Sequence, residues 1–206
     1  YNQAQYLEET IRSVLFQNYP NLEYIVIDGG STDGSVEIIK KYEPWLAFWE
    51  SKKDRGQSHA INKGIRKATG DILFWLNADD ICLPNAFSLV SEAFSKNPDK
   101  KLVIGQAYVI DKQSEVIGEM RSDFSTWEDI ATRKLNHIRQ VSTFFSIDLF
   151  YQLGLINEEL IISMDNEILI RFTKKYTPLI IDQYLSAFRV HEKAKSQNDL
   201  ILGYKE

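Results

Sequence analysis

The chain has 206 residues, 44% hydrophobic and 26% charged, with 24 Lys and Arg against 29 Asp and Glu, a net charge of −5. This is an ordinary globular composition of a size for one domain, and its acidic balance argues against a general nucleic-acid binder, which needs a basic face. No apolar run approaches the roughly 20 residues of a membrane span, no secretory signal is visible, and the single cysteine, Cys82, rules out an internal disulfide and fits a reducing compartment.

Residues 4–17 carry Tyr6, Leu7, Ile11, Val14 and Leu15 at near-helical spacing. "NYPNLE" is a turn. "YIVID" (24–28) is apolar and β-branched and stops at Gly29 and Gly30, so it reads as a buried strand. "STDGSVEIIKKY" opens a helix, with Ser31, Thr32 and Asp33 as candidate caps. "LAFWES" (46–51) is a second strand, "SHAINKGIRKA" (58–68) a helix stopped by Gly70, and "DILFWLN" a third strand. "PNAFSLVSEAFSK" (84–96) is a helix with Pro84 near its start. Strands alternating with helices predict a parallel sheet covered on both faces.

From about residue 100 the pattern changes. "KLVIGQAYVID" and "EVIGEM" read as strands joined by a polar turn, and "TWEDIATRKL" as a helix. "VSTFFSIDLFYQLG" passes from an extended piece into a helix, "DNEILIRFTKKY" is an amphipathic helix, and "PLIIDQYLSAFRV" is strand-like. The tail after His191 is polar. Trp45, Trp49, Trp75 and Trp127 read as core aromatics. We expect a single domain over 1–206, with a nucleotide-type half (1–98) and a more variable half (99–206).

Open α/β sheets bind ligands at the carboxyl ends of their strands. Three such ends here carry polar signatures: "DGGSTDGS", "KKDRGQS" and "NADD". The first has glycines for tight turns and Asp28 as an acceptor, but a plain strand–turn–helix connection accounts for it equally. It is not a P-loop, since no Gly-Lys-Ser/Thr follows. In "NADD" a buried strand delivers Asp79 and Asp80 to one place. Either they hold a divalent cation, which favours one or two carboxylates plus substrate phosphates, or they begin the next helix, where acids suit the dipole. Asp165 and Glu167 open the helix "DNEILIR", as dipole partners or as reactive acids. His191 is a capping histidine or a metal or phosphate contact.

Taken together, "YNQAQYLEETIRSVLFQNYPNLEYIVIDGGSTDGS" and "DRGQSHAINKGIRKATGDILFWLNADD" strongly resemble the inverting family 2 glycosyltransferases of bacterial cell-surface polysaccharide synthesis. The resemblance is close over residues 1 to about 95 and looser through "VSTFFSIDLFYQLG", "DNEILIR" and "FRVHEKAKS". It implies an α/β GT-A nucleotide-diphospho-sugar transferase fold, a mostly parallel sheet flanked by helices, with the family's first strand lying before Tyr1 and absent here. It implies a nucleotide-sugar donor, most simply a UDP-hexose, an Mn²⁺ or Mg²⁺ cofactor, and a saccharide or lipid-linked saccharide acceptor. It also implies a cytoplasmic enzyme, peripheral at the inner face of the plasma membrane, and no nucleic-acid partner.

The same resemblance assigns roles. Tyr1 matches the tyrosine that flanks the base, Asp28 the first acid of the family's Asp-Asp-Gly-Ser, and Asp54 and Arg55 the loop that helps hold the nucleotide. Gly29 stands where the second acid would be. "NADD" matches the DxD region, with Asn77 in place of a frequent Asp, Asp79 at the donor and Asp80 as metal ligand. Asp165 matches the general base, although Met164 replaces the Glu that often precedes it. His191 matches a late histidine at the metal or diphosphate. The alternative is a nucleotide-sugar-binding module that has lost catalysis.

Overall fold

The computed structural model describes residues 1–124, 126–132, 140–192 and 194. Helix α1 (Ala4–Leu15) turns Leu7 and Ile11 inward, where they meet Ile39 of α2 (Ser35–Tyr42). Strands β1 (Ile25–Asp28) and β2 (Phe48–Ser51) pair in parallel from Ile25–Phe48 to Asp28–Ser51, so their carboxyl ends finish side by side. Helix α3 (Gln57–Lys67) packs on β1. The caps expected at Ser31 and Thr32 lie upstream of α2. Gly34 takes the N-cap position with φ +97°, and Asp33 accepts the Ser35 amide and hydroxyl instead.

A second sheet holds β3 (Ile72–Leu73), β7 (Thr143–Ser146), β5 (Leu102–Ile110), β8 (Leu179–Arg189) and β4 (Ile81–Cys82) in that spatial order, with β6 (Val116–Met120) also on β5. Here the pairing is mixed. Only β5–β8 is parallel, and the other pairs are antiparallel. The alternating strand–helix pattern of the front half supports the parallel β1–β2 pair, whereas β5 and β6 form a hairpin, which is antiparallel by construction. Among the described residues no strand bridges β1 to β3.

Only Ile72 and Leu73 of "DILFWLN" make ladder pairs, yet the run stays extended in function, because its side chains alternate between two cores. Phe74 stacks on Phe144 at 4.3 Å, on the side of α4 (Ala86–Lys96). Trp75 stacks on Phe145 at 5.0 Å, on the side of α6 (Asp148–Leu153) and α7 (Met164–Thr173), where Phe150, Ile168, Leu169 and Phe172 complete the largest core. Gly105 of β5 is required by packing: an added Cβ would fall 2.4 Å from Leu185 and 2.8 Å from the Gln183 carbonyl.

Helix α5 covers Trp127–Ala131, capped by the Thr126 hydroxyl, and the remainder of the expected "TWEDIATRKL" helix falls largely outside the described residues. Trp45 is not a core aromatic. It sits 62% exposed on the short turn that ends α2, beside Tyr42. Strand β4 lies in the apolar step "ICLP", too short for periodicity to reveal, and its pairing with β8 fixes the far end of the Asp79–Asp80 turn.

Candidate active site

The diacid turn is built from three directions. From α1, the Thr10 hydroxyl donates to the carbonyls of Ala78 (3.1 Å) and Asp80 (2.8 Å). From α3, the Gln57 amide donates to Asn77 (2.8 Å). From β8, Arg189 donates its backbone N–H to Asp80 Oδ1 (3.0 Å) and its Nε–H to the Asp79 carbonyl (2.8 Å).

These contacts give the neighbouring acids different surroundings. Asp80 is 1% exposed, and its second oxygen accepts from the Asn77 amide at 3.0 Å. Burial, followed by repulsion from Asp79, pushes its carboxyl up to about 8, against the Arg189 and Asn77 donors that favour the ion. Asp79 is half-buried, with Oδ2 3.0 Å from His191 Nε2. The His191 ring lies 4.8 Å from that of Tyr6, which fixes its plane from the α1 side.

Asp79 Oδ2 and His191 Nε2 face each other across this contact, which is a hydrogen bond between them. A divalent ion taking the place of the proton between them would find one oxygen and one nitrogen about as far apart as adjacent ligands of an octahedral ion, roughly 3 Å. Among the described residues no group of three or more His, Cys, Asp or Glu could hold a metal. An ion at this pair would fill its shell with ligand oxygens and water, as hard cations bound beside phosphates do. Each Asp80 oxygen accepts one protein donor, and of the two acids it is Asp79 that turns an oxygen to His191.

A second corner forms where β1 and β2 end. Asp28 accepts from the Gly30 and Ser31 amides and from the Ser31 and Ser51 hydroxyls. Burial alone would raise its carboxyl, but these donors outweigh it and hold the group low. The Ser31 hydroxyl also accepts the Asn2 amide (2.8 Å), and Asn2 in turn accepts the Thr32 amide (2.9 Å). Tyr1, next to Asn2, therefore stands beside this loop and is 71% exposed. Gly29 lies directly against Asp54: a Cβ there would come 2.7 Å from its Oδ2, so a larger residue would displace the Asp54 side chain. Asp54 accepts the Gly56 amide, and Arg55, largely exposed, pairs with Glu158 at 2.5 Å. Thus Tyr1, Asp28, Asp54 and Arg55 share one edge.

Helix α3 connects the corners to Asp165. The Ser58 hydroxyl, next to Gln57, donates to Met164 Sδ (2.8 Å) and to the Leu160 carbonyl (3.2 Å). The first turn of α3 therefore touches both the Asn77 end of the diacid turn and the start of α7, where Asp165 is half-buried. Glu167 is committed elsewhere, paired with Arg171 at 2.7 Å, while Arg171 also caps the carbonyls of Leu153, Gly154 and Leu155.

The sequence pattern of glycosyl transferase family 2 matches residues 1–151. The chain belongs to glycosyl transferase family 2. Over 198 residues it is 29% identical to an uncharacterized glycosyltransferase of Rickettsia typhi, covering 93% of this chain and 62% of that one. Over 124 residues it is 32% identical to a poly-beta-1,6-N-acetyl-D-glucosamine synthase of Staphylococcus epidermidis, covering 59% and 30%. The chain thus spans less than two thirds of the length of these relatives.

Among solved structures the chain superposes on S. aureus TarS in complex with UDP-GlcNAc with a TM-score of 0.76, at 17% identity, covering 96% of this chain and 58% of that one. It superposes on the mannosyltransferase PcManGT of Pyrobaculum calidifontis, in complex with GDP-Man and Mn²⁺, with a TM-score of 0.70 at 20% identity, covering 96% and 56%. The family 2 chain therefore has the GT-A fold expected from its motifs.

The residue its motifs did not flag is Arg189. A charged residue closing an apolar strand, between Phe188 and Val190, is the only local sign, and its partners lie far away in sequence.

Proposed function

We propose that this chain transfers a sugar from a nucleotide-sugar donor, a UDP-hexose, to an acceptor hydroxyl with inversion at the anomeric carbon, using Mn²⁺ or Mg²⁺. The acceptor is a saccharide or lipid-linked saccharide of a cell-surface polysaccharide, met at the inner face of the plasma membrane. Among the described residues no helix is long and apolar enough to cross a membrane, so such contact would be peripheral for this part of the chain. The observation that carries the reading is the Asp79–His191 pair, a carboxylate oxygen and an imidazole nitrogen 3.0 Å apart that join the diacid turn to the residues just past β8. Family membership and the nucleotide-sugar complexes of the TarS and PcManGT structures support it.

In this reading the front half, 1–98, binds the donor. Tyr1 flanks the base, Asp28 braces the loop around it, and Asp54 and Arg55 border the nucleotide. A divalent ion at Asp79 and His191 would supply Lewis acidity to the departing diphosphate. Asp80 holds the turn in place from behind. Asp165 takes the acceptor's proton as the hydroxyl oxygen attacks the anomeric carbon. The new C–O bond forms while the anomeric C–O bond to the diphosphate breaks, and that electron pair leaves on the phosphate oxygen. A single displacement inverts the centre.

Calorimetry with UDP, GDP and dTDP, each with Mn²⁺ and with EDTA, tests the donor half of this reading. Metal-dependent preference for UDP is the expected result, and no binding to any nucleotide would overturn it. A product from any acceptor excludes the binding-only alternative, which Met164 motivates. That side chain is buried in the core instead of adding a second acid beside Asp165.

A further inference from the structure

Arg189 ends β8, two residues before His191, and its side chain is fully buried. Its guanidinium donates in three directions besides the Asp79 carbonyl. Nη1 reaches the Asp111 carbonyl (3.0 Å) and the Ser114 hydroxyl (2.9 Å), and Nη2 reaches Glu9 of α1 (2.7 Å). The Ser114 hydroxyl donates to Glu9 in turn (2.8 Å). The guanidinium also lies 4.7 Å from the centre of the Tyr6 ring, whose neighbour is His191. One side chain thus grips α1, the turn after β5 and the peptide of Asp79, while its own N–H holds Asp80.

Burying a cation is costly unless it is fully hydrogen-bonded, and fold closure alone could be achieved by apolar packing at this position. What an apolar side chain could not do is bond the Asp79 carbonyl. That bond fixes the peptide from which the Asp79 side chain departs, and Arg189 stands on the same strand end as His191. We propose that Arg189 is a positioning residue that holds Asp79 and His191 at metal-binding separation. Glu9 and Ser114 are the struts that orient its fork. The inference rests on the metal reading of the Asp79–His191 pair.

The test compares wild type with Arg189→Lys, which keeps the charge opposite Glu9 but loses the planar fork. Free Mn²⁺ would be followed by electron paramagnetic resonance, with and without UDP, and thermal unfolding would be recorded in EDTA. Groups behind metal ligands typically change affinity by 10–100-fold, so Arg189→Lys is expected to weaken Mn²⁺ by about tenfold or more in protein that remains folded. A merely structural role would lower the unfolding temperature and leave Mn²⁺ affinity of the folded protein unchanged, which would overturn the proposal.

If Arg189→Lys does not fold, Glu9→Gln combined with Ser114→Ala removes both struts from the more exposed end. Weaker Mn²⁺ binding in that folded variant supports the proposal, and affinity within about twofold of wild type overturns it. Wild type that binds no Mn²⁺ under either condition defeats the metal reading itself, and the inference with it.

Discussion

Both carboxylate oxygens of Asp80 are occupied by protein donors, whereas Asp79 turns one oxygen to His191. Repulsion from Asp79 adds to burial in pushing the Asp80 carboxyl up, so the two acids share the turn with the buried one biased toward its neutral form. Asp79→Ala should therefore abolish the Mn²⁺-dependent part of UDP affinity and spare binding in EDTA, as read by calorimetry. An unchanged Mn²⁺ effect would remove Asp79 from the metal. Asp165→Asn should reduce transfer by several orders of magnitude and leave UDP-sugar affinity within a few-fold, because only the proton acceptor is lost. Normal turnover would reassign the base. Asp28 carries a pH signature. Its folded carboxyl lies below its ordinary value, so its stabilisation is present above the unfolded value of about 3.9 and disappears as pH falls through the folded one. The unfolding temperatures of wild type and Asp28→Asn should therefore differ at pH 6, and the gap should narrow as pH falls below about 4. A gap that stays constant with pH would mean the lost hydrogen bonds, not the charge, carry the effect.

Helices and strands were readable from sequence wherever their cause is local. Leu7 and Ile11 announce α1 by spacing, and "YIVID" stops at two glycines, so β1 ends where Asp28 is needed. Elements whose cause is a distant partner were not readable. Strand β4 is two residues long and exists because β8 lies beside it, and the parallel β5–β8 pair joins segments separated by β6, β7 and the helices α5 to α7. The site divides in the same way. The sequence singled out the diacid turn, and the family resemblance His191, but the grip of Arg189 on the Asp79 carbonyl and the Asp80 side chain, from 109 residues beyond Asp80, had no local signal. Element packing also locates a stability test. Phe145 is fully buried between Trp75, Phe150 and Phe172, with one face stacked and edges engaged. Phe145→Ala should cost roughly 3–5 kcal/mol by denaturant unfolding, through lost transfer energy and the cavity left behind. A loss below about 1 kcal/mol would mean that the core around β7 collapses to refill the space.

For the molecule as a whole, the two corners of the site are carried by one connected frame. Helix α1 touches the diacid turn through Thr10, and the Asn2 segment just before it touches the Asp28 loop. Helix α3 begins after Asp54 and Arg55 and reaches both Asn77 and Met164. A nucleotide diphosphate with its ion would bridge these parts, adding ligand contacts across pieces that otherwise meet through a few hydrogen bonds. Its binding free energy must then appear as stability. At a UDP concentration one hundred times its dissociation constant, mass action adds about 2.7 kcal/mol. For a chain near 200 residues, each kcal/mol moves the midpoint by about 2–4 °C, so UDP with Mn²⁺ should raise the unfolding temperature by roughly 5–10 °C. Mn²⁺ alone should raise it less, because two protein ligands leave most of the shell to water. EDTA should shrink the UDP effect to its metal-independent part while leaving the midpoint of the ligand-free protein unchanged. If UDP stabilises equally with EDTA, the donor is held by the Tyr1–Asp28–Asp54 edge without a cation, and the Asp79–His191 pair has another role.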